Sequence, residues 1–341
     1  MGKASRFALV LFGGLACLLA TAWAAGALYF DLPITWLRTP LALIYGLAML
    51  AAFFFIKGRW RALGVVAASF VAVLVWWLTL KPGNAGNWQA DVAQLAWAEI
   101  NRDEVSLHNV RNCDYRAETD YTPRWETRTV RLSQITGLDL AINYWGSPWM
   151  AHPIVSFQFA DAPPICFSIE TRKQVGQTYS AIGGLYRQFT LIYIVADERD
   201  VIRVRTNYRH GEDIYLYRTT MSPSQARERF HEYVRSLNEI RDHPRWYNAI
   251  TTNCTTSIRD QHPIAERIPW DWRLLLNGKA DELMFERHTI VTAGLPFPEL
   301  KARSLVNARA KAADAMSNFS ELIRVGLPPF EIPVTAEVLP E

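Results

Sequence analysis

Apolar residues are unevenly spread along this 341-residue chain. Phe7 to Phe30, Pro40 to Ile56 and Leu63 to Leu80 contain no charged residue, and each approaches the roughly 20 residues that a helix needs to cross a hydrocarbon core. None shows the polar face of a surface helix, so the pattern predicts three membrane spans instead of a soluble helical core. The first run also follows Lys3 and Arg6 in the manner of a cleaved signal, but it is longer than a usual signal core and two further spans follow it directly, which favours retention. Lys3 and Arg6 before the first span, and Lys57, Arg59 and Arg61 between the second and third, outweigh Arg38 in the other loop. By the positive-inside rule the N-terminus then lies in the cytoplasm and everything after Lys81 lies outside, on the periplasmic side of a bacterial inner membrane. Trp36, Trp60, Trp76 and Trp77 fall near the expected interfaces.

Pro82 to Asn87 is a glycine- and proline-marked linker. The division is therefore a three-helix anchor over 1–81, a linker over 82–87 and an external domain over 88–341. Trp88 to Asn101 has helical spacing of Val92, Leu95, Ala96 and Ile100 and predicts an amphipathic helix. From Val105 to Tyr217 short β-rich runs separated by turn residues predict strands: 105–115, 127–132, 137–145, 154–159, 165–169, 191–195, 201–206 and 214–217. In the 201–206 run arginine alternates with valine, which predicts one solvated strand face. Ser222-Pro223 opens a helix running to about Arg241, and helices are expected over 272–287 and 300–325. The fold class is α+β, with a mostly antiparallel sheet and flanking helices behind the membrane spans.

Composition adds little beyond this segregation. Half the residues are hydrophobic and the net charge is +3. There is no internal repeat, glycine-rich phosphate loop, metal-spaced Cys/His cluster or basic stripe for nucleic acid, so neither a cofactor nor a nucleic-acid partner is expected. Cys17 lies in the first span as a packing or lipid-facing residue. Cys113, Cys166 and Cys254 form an odd set in an oxidising compartment, and a Cys113–Cys166 disulfide would leave Cys254 free.

Cys254 is the candidate nucleophile. It follows Thr251, Thr252 and Asn253, all able to cap a helix, and a helix start favours a thiolate through its exposed N–H groups and dipole. Buried cysteines beside caps are also ordinary core residues. A thiol nucleophile needs a base, and of the seven histidines His152 stands apart, at the mouth of a strand after Trp145-Gly146-Ser147-Pro148-Trp149. If that strand returns through Asp161 and Ala162, paired residue numbers sum to 322 or 323, bringing Glu170 or Thr171 opposite His152 at about 5 Å. Glu170 is the candidate that orients the imidazole, with a polar strand end as the alternative.

His108 to Asn112, the Trp-Gly approach to His152, Phe167-Ser168-Ile169-Glu170-Thr171-Arg172, and Tyr247-Asn248 leading to Asn253-Cys254-Thr255-Thr256 resemble the Lnb N-terminal periplasmic domain family. The likeness covers most of Val105 to about Pro328. It implies a circularly permuted papain-like fold with His152 as base and Cys254 as nucleophile, in a family that includes proteins implicated in lipoprotein N-acylation. The chain departs from that acyltransferase architecture in carrying its spans before the domain.

The leading expectation is a membrane-anchored thiol acyltransferase or hydrolase acting on inner-membrane lipid or lipoprotein acyl groups. Backbone N–H groups at the Cys254 helix would form an oxyanion site, assisted by Asn253 or Tyr247. Asn253 is equally a cap and Tyr247 equally a core residue. The rivals are a cell-wall amidase or peptidase with the same pair, and a non-catalytic scaffold.

Overall fold

A computed structural model describes residues 3–261, 271–274 and 277–329. They form two compact units, one of 1–83 with 178–190 and 245–249, the other of 84–177 with 191–244 and 250 onward.

In the first unit, helices α1 (Lys3–Asp31), α2 (Thr35–Phe55) and α3 (Arg59–Thr79) pack against one another. All three are long and apolar enough to cross a membrane. They remain exposed over most of their surface: Phe12, Leu43, Leu47 and Phe54 are more than half exposed, as only lipid-facing residues should be. Trp36 and Trp60 are also exposed, near the helix starts.

The second unit is built on an eight-stranded sheet. Its strands are β1 (Trp97–Asn101), β2 (Glu104–Arg111), β5 (Trp125–Arg131), β6 (Ile135–Trp145), β7 (Ala151–Phe159), β8 (Ile165–Arg172), β9 (Thr190–Asp197) and β10 (Glu212–Arg218), while β3 (Asp114–Tyr115) and β4 (Tyr121–Thr122) make a separate ribbon. The order is β1-β2-β9-β8-β7-β6-β10, with β5 pairing to β2. β1–β2, β2–β5, β6–β7, β7–β8 and β6–β10 are antiparallel; β2–β9 is parallel. Helices α4 (Glu198–Val201), α5 (Pro223–Asp242), α6 (Cys254–Gln261), α7 (Ala280–Glu286), α8 (Phe297–Ser304), α9 (Asn307–Ala312) and α10 (Phe319–Leu322) complete it.

Alternation along the central strands separates two cores. Ile154 and Cys166 face a cluster with Ile192, Ile194, Leu216, Val306 and Phe319. Phe157 and Phe167 point the other way, edge-on to Phe230 of α5, with Tyr233 of the same helix beside them. α5 starts with a full capping box at Ser222 and Gln225 and places Phe230, Tyr233, Val234 and Leu237 on one buried face.

Five readings from the sequence are corrected. Trp88 to Asn101 is a three-residue 3-10 turn at Ala90–Val92 followed by β1, because the segment hairpins onto β2 through Arg102 at φ 56° and buries Ala98 as a strand residue. The 201–206 run is not a solvated strand. Asp197 caps α4 by accepting the Arg199 N–H, the chain continues into a π-helical turn over Val204–Tyr208, and Arg203 and Arg205 are buried. The long C-terminal helix is broken into α8, α9 and α10, because the chain turns to bring Ala310 of α9 and Phe319 of α10 into the cluster on the sheet. The 272–287 helix consists of Trp272–Leu274, Asn277–Lys279 and α7; residues 275 and 276 lie outside the described part. Cys113 and Cys166 are free and belong to different hydrophobic clusters, so no disulfide joins them.

Candidate functional site

β7 and β8 pair with a constant register sum: Ile154 faces Ser168, Val155 faces Phe167 and Phe157 faces Ile165. The ladder ends at Ile154 and Ser168, and the same sum continued by two residues relates His152 to Glu170. The side chains nevertheless do not meet directly, with His152 Nε2 3.9 Å from Glu170 Oε1. Ser168 lies between them. Its hydroxyl is 2.7 Å from His152 Nε2 and donates to Glu170 Oε1 at 2.7 Å. A serine hydroxyl has one proton, so with that proton on Glu170 the hydroxyl must accept from His152. The arrangement fixes the Nε2–H tautomer and leaves Nδ1 as the basic nitrogen.

Glu170 is itself anchored by the buried Arg205, whose Nη2 donates to Oε1 at 2.9 Å while Nη1 donates to the Val201 carbonyl at 2.7 Å. Burial is the largest influence on the Glu170 carboxyl and pushes it up, but Arg205, then His152, Arg111 and the Ser168 hydrogen bond together hold it well below the usual carboxylate range. Burial also dominates at His152 and pushes it down to about 4, against the opposing attraction of Glu170. At neutral pH the imidazole is therefore neutral, with the Nδ1 lone pair free of a proton.

Cys254 is the first residue of α6, which packs on both β7 and β8. Asn253 caps that helix: its Oδ1 accepts the Thr256 N–H at 2.9 Å, and its own N–H donates to Thr256 Oγ1 at 2.9 Å. Cys254 is buried, with 7% of its surface exposed, at the start of the helix.

Asn277 was not singled out by the sequence. Its Nδ2 donates to Cys254 Sγ at 3.9 Å, and its Oδ1 accepts the N–H of Ala151, the residue before His152, at 2.8 Å. One side chain thus connects the thiol to the strand that carries the imidazole. Gly278 makes the approach possible, because a Cβ there would stand 2.3 Å from the Pro148 carbonyl oxygen, and its N–H donates to the Trp149 carbonyl at 3.1 Å. The signal that could have located this pair is the turn-forming Asn-Gly inside a segment read as helix. Tyr247 lies in the other unit, its N–H donating to the Phe189 carbonyl and its ring packed on Gly184.

Around the start of β7 the surface is apolar. Trp149, Met150 and Trp272 are 49%, 42% and 52% exposed, and the two indoles lie 6.4 Å apart. A separate polar cavity of about 730 Å³, lined among others by Gln158, Asp197, Arg199 and Arg203, opens at the far end of β7, roughly 20 Å along the strand from His152. It contains none of the candidate residues. Among the described residues no group of three or more His, Cys, Asp or Glu side chains is placed to hold a metal ion.

Comparison with known proteins gives one result. Residues 121–278 match the family model of the Lnb N-terminal periplasmic domain. No curated protein and no solved structure matches the chain.

Proposed function

From the premise that residues 121–278 make this chain a member of the Lnb N-terminal periplasmic domain family, and that its three apolar helices make it an inner-membrane protein, we propose a membrane-anchored thiol acyltransferase or hydrolase. In this reading the N-terminus is cytoplasmic and the sheet unit periplasmic, and the order of histidine on a strand and cysteine on a later helix is a permuted papain-like arrangement. The observation that carries the chemistry is the chain His152–Ser168–Glu170–Arg205, which orients one buried imidazole on β7, a strand against which the helix beginning with Cys254 packs.

Cys254 Sγ attacks the carbonyl carbon of an ester or amide while its proton passes to His152 Nδ1. Collapse of the tetrahedral intermediate expels the alcohol or amine, which takes that proton, and leaves an acyl-thioester on Cys254. An amine or water then attacks the thioester, His152 again carrying the proton, and the free thiol returns. The Cys254 backbone N–H and the Asn277 amide are the donors we assign to the oxyanion, with Asn253 as a further candidate. The exposed Trp149, Met150 and Trp272 favour an acyl chain over a cell-wall peptide as substrate.

The test is covalent trapping of the full-length protein in phospholipid nanodiscs with a palmitoyl-chain vinyl sulfone and with a muropeptide-like one, followed by peptide mass spectrometry. Labelling of Cys254 by the acyl probe, lost in His152→Ala, is the expected result. Preferential labelling by the peptide probe would favour the amidase class. Labelling of Cys113 or Cys166 instead would overturn the assignment, and full cellular activity of Cys254→Ser would leave only the scaffold.

A further inference from the structure

The segment Thr178–Thr190, between β8 and β9, belongs to the helical unit. Its anchor is Arg187. The guanidinium lies 3.9 Å over the Trp77 ring and donates to the carbonyls of Trp77 and Leu80 at 2.6 and 2.7 Å, while the Arg187 N–H donates to Asp31 Oδ2 at 3.0 Å. Arg187 therefore sits at the level where α1 and α3 both end.

Tyr186 reaches further. Its ring stacks on Phe30 at 5.1 Å and tilts against Trp23 at 6.2 Å, and its hydroxyl occupies the space where a Cβ on Gly26 would stand, 2.0 Å away. Gly26 is five residues short of the end of α1, which at the α-helical rise places the Tyr186 hydroxyl about 7 Å inside the span. The segment is held at this depth by Trp246–Ala249, whose Tyr247 and Ala249 N–H groups donate to the Phe189 and Gly184 carbonyls at 3.0 and 2.8 Å. Gly184 permits that contact, since a Cβ there would meet the Tyr247 ring at 3.2 Å. Beside the inserted tyrosine the turn leaves Tyr179, Ile182 and Leu185 exposed, Ile182 at 63%.

We infer that Tyr179–Leu185 is a fourth membrane contact, a re-entrant turn whose Tyr179, Ile182 and Leu185 side chains lie among the glycerol and acyl groups of the leaflet at the C-terminal ends of α1 and α3. The occupant is phospholipid, because the backbone that bears these side chains is pinned at or below the helix ends and the large side chains that the helices expose around it, Tyr29, Trp36, Leu41 and Leu78, are apolar or aromatic. The guanidinium of Arg187, bonded to terminal carbonyls, sits where a cation at a bilayer interface is favoured. This inference concerns lipid contact alone and stands whether or not Cys254 is a nucleophile.

Photocrosslinking tests it. Benzoylphenylalanine replaces Ile182 or Leu185 in the full chain, with Ala117 in the exposed β3–β4 turn as control, and each protein is irradiated in phosphatidylethanolamine/phosphatidylglycerol nanodiscs. Intact-mass spectra should show phospholipid adducts at 182 or 185 about tenfold above the control, a preference of about 1.4 kcal/mol. Adduct yields at both positions no greater than at 117 would overturn the inference. The Leu185 replacement keeps the test decisive should the Ile182 replacement disturb folding.

Discussion

At His152 the local field sets a pH dependence that can be measured. An ordinary histidine titrates near 6.5, and burial, ahead of the charges around it, brings His152 to about 4. Between these values the unfolded chain binds more protons than the folded one, so the contribution to stability is complete above pH 6.5 and is lost as pH falls toward 4, a change of about 3 kcal/mol. The depressed carboxyl of Glu170 adds to the loss on the acid side. His152→Gln keeps a donor for the Ser168 hydroxyl and should flatten the stability profile between pH 6.5 and 4, read as unfolding midpoints across that range. An unchanged slope would mean that His152 is solvated in the folded protein. Asn277→Asp keeps the acceptor for the Ala151 N–H and removes the donor to Cys254. The proposed role predicts acyl transfer reduced on the order of a hundredfold with little change in thermal midpoint.

Secondary-structure elements position these side chains, and their ends carry most of the information. Asn253 illustrates the point, since its carboxamide oxygen is committed to the Thr256 N–H. Asn253→Ala should cost α6 about 1 kcal/mol, whereas Asn253→Asp retains the acceptor and should preserve both stability and reactivity toward an alkylating agent. A large loss of reactivity in the aspartate variant at unchanged stability would instead give the amide an oxyanion role. Strands were legible because their alternation is local: β6, β7, β8 and β10 lie where period-two runs fall, and the turn at Asp161 and Ala162 narrowed the β7–β8 register to sums of 322 or 323, of which 322 is realised. Arg203 and Arg205 were misread for the same reason. Alternation with valine looks like a strand, but a cap at Asp197 and the Glu170 carboxylate reward a helical path that brings the guanidinium of Arg205 inward.

Across the sheet unit, distant parts of the chain are tied by buried charge. Arg324 near the C-terminal end bonds Asp139 of β6 at 2.8 Å and Glu198 of α4 at 2.8 and 2.5 Å, and Ser156 of β7 donates to Glu198 at 2.5 Å. Burial is the largest influence on Asp139, pushing its carboxyl up, and also on Glu198, which Arg324 and its hydrogen bonds nonetheless hold below the usual range. Arg324→Met would leave two carboxylates buried without their cation. It should destabilise the unit by about 3–5 kcal/mol, measured as a fall in the denaturation midpoint. A loss within 0.5 kcal/mol, the level of an ordinary surface substitution, would show that water reaches the pair.

The sequence by itself determined the three membrane spans, the presence and approximate extent of the central strands, the capped helix at Ser222 and the choice of Cys254 and His152 as the residues to watch. All of these follow from periodicity, charge segregation and capping chemistry within a few residues. The tertiary structure alone decided that Ser168 stands between His152 and Glu170, that Arg205 turns inward to hold the carboxylate, that Asn277 joins Cys254 to the strand mouth, and that Thr178–Thr190 is fastened to the ends of the helices. Each of those depends on contacts between residues far apart in sequence, where burial and hydrogen-bond satisfaction outweigh the local preferences that a linear reading can see.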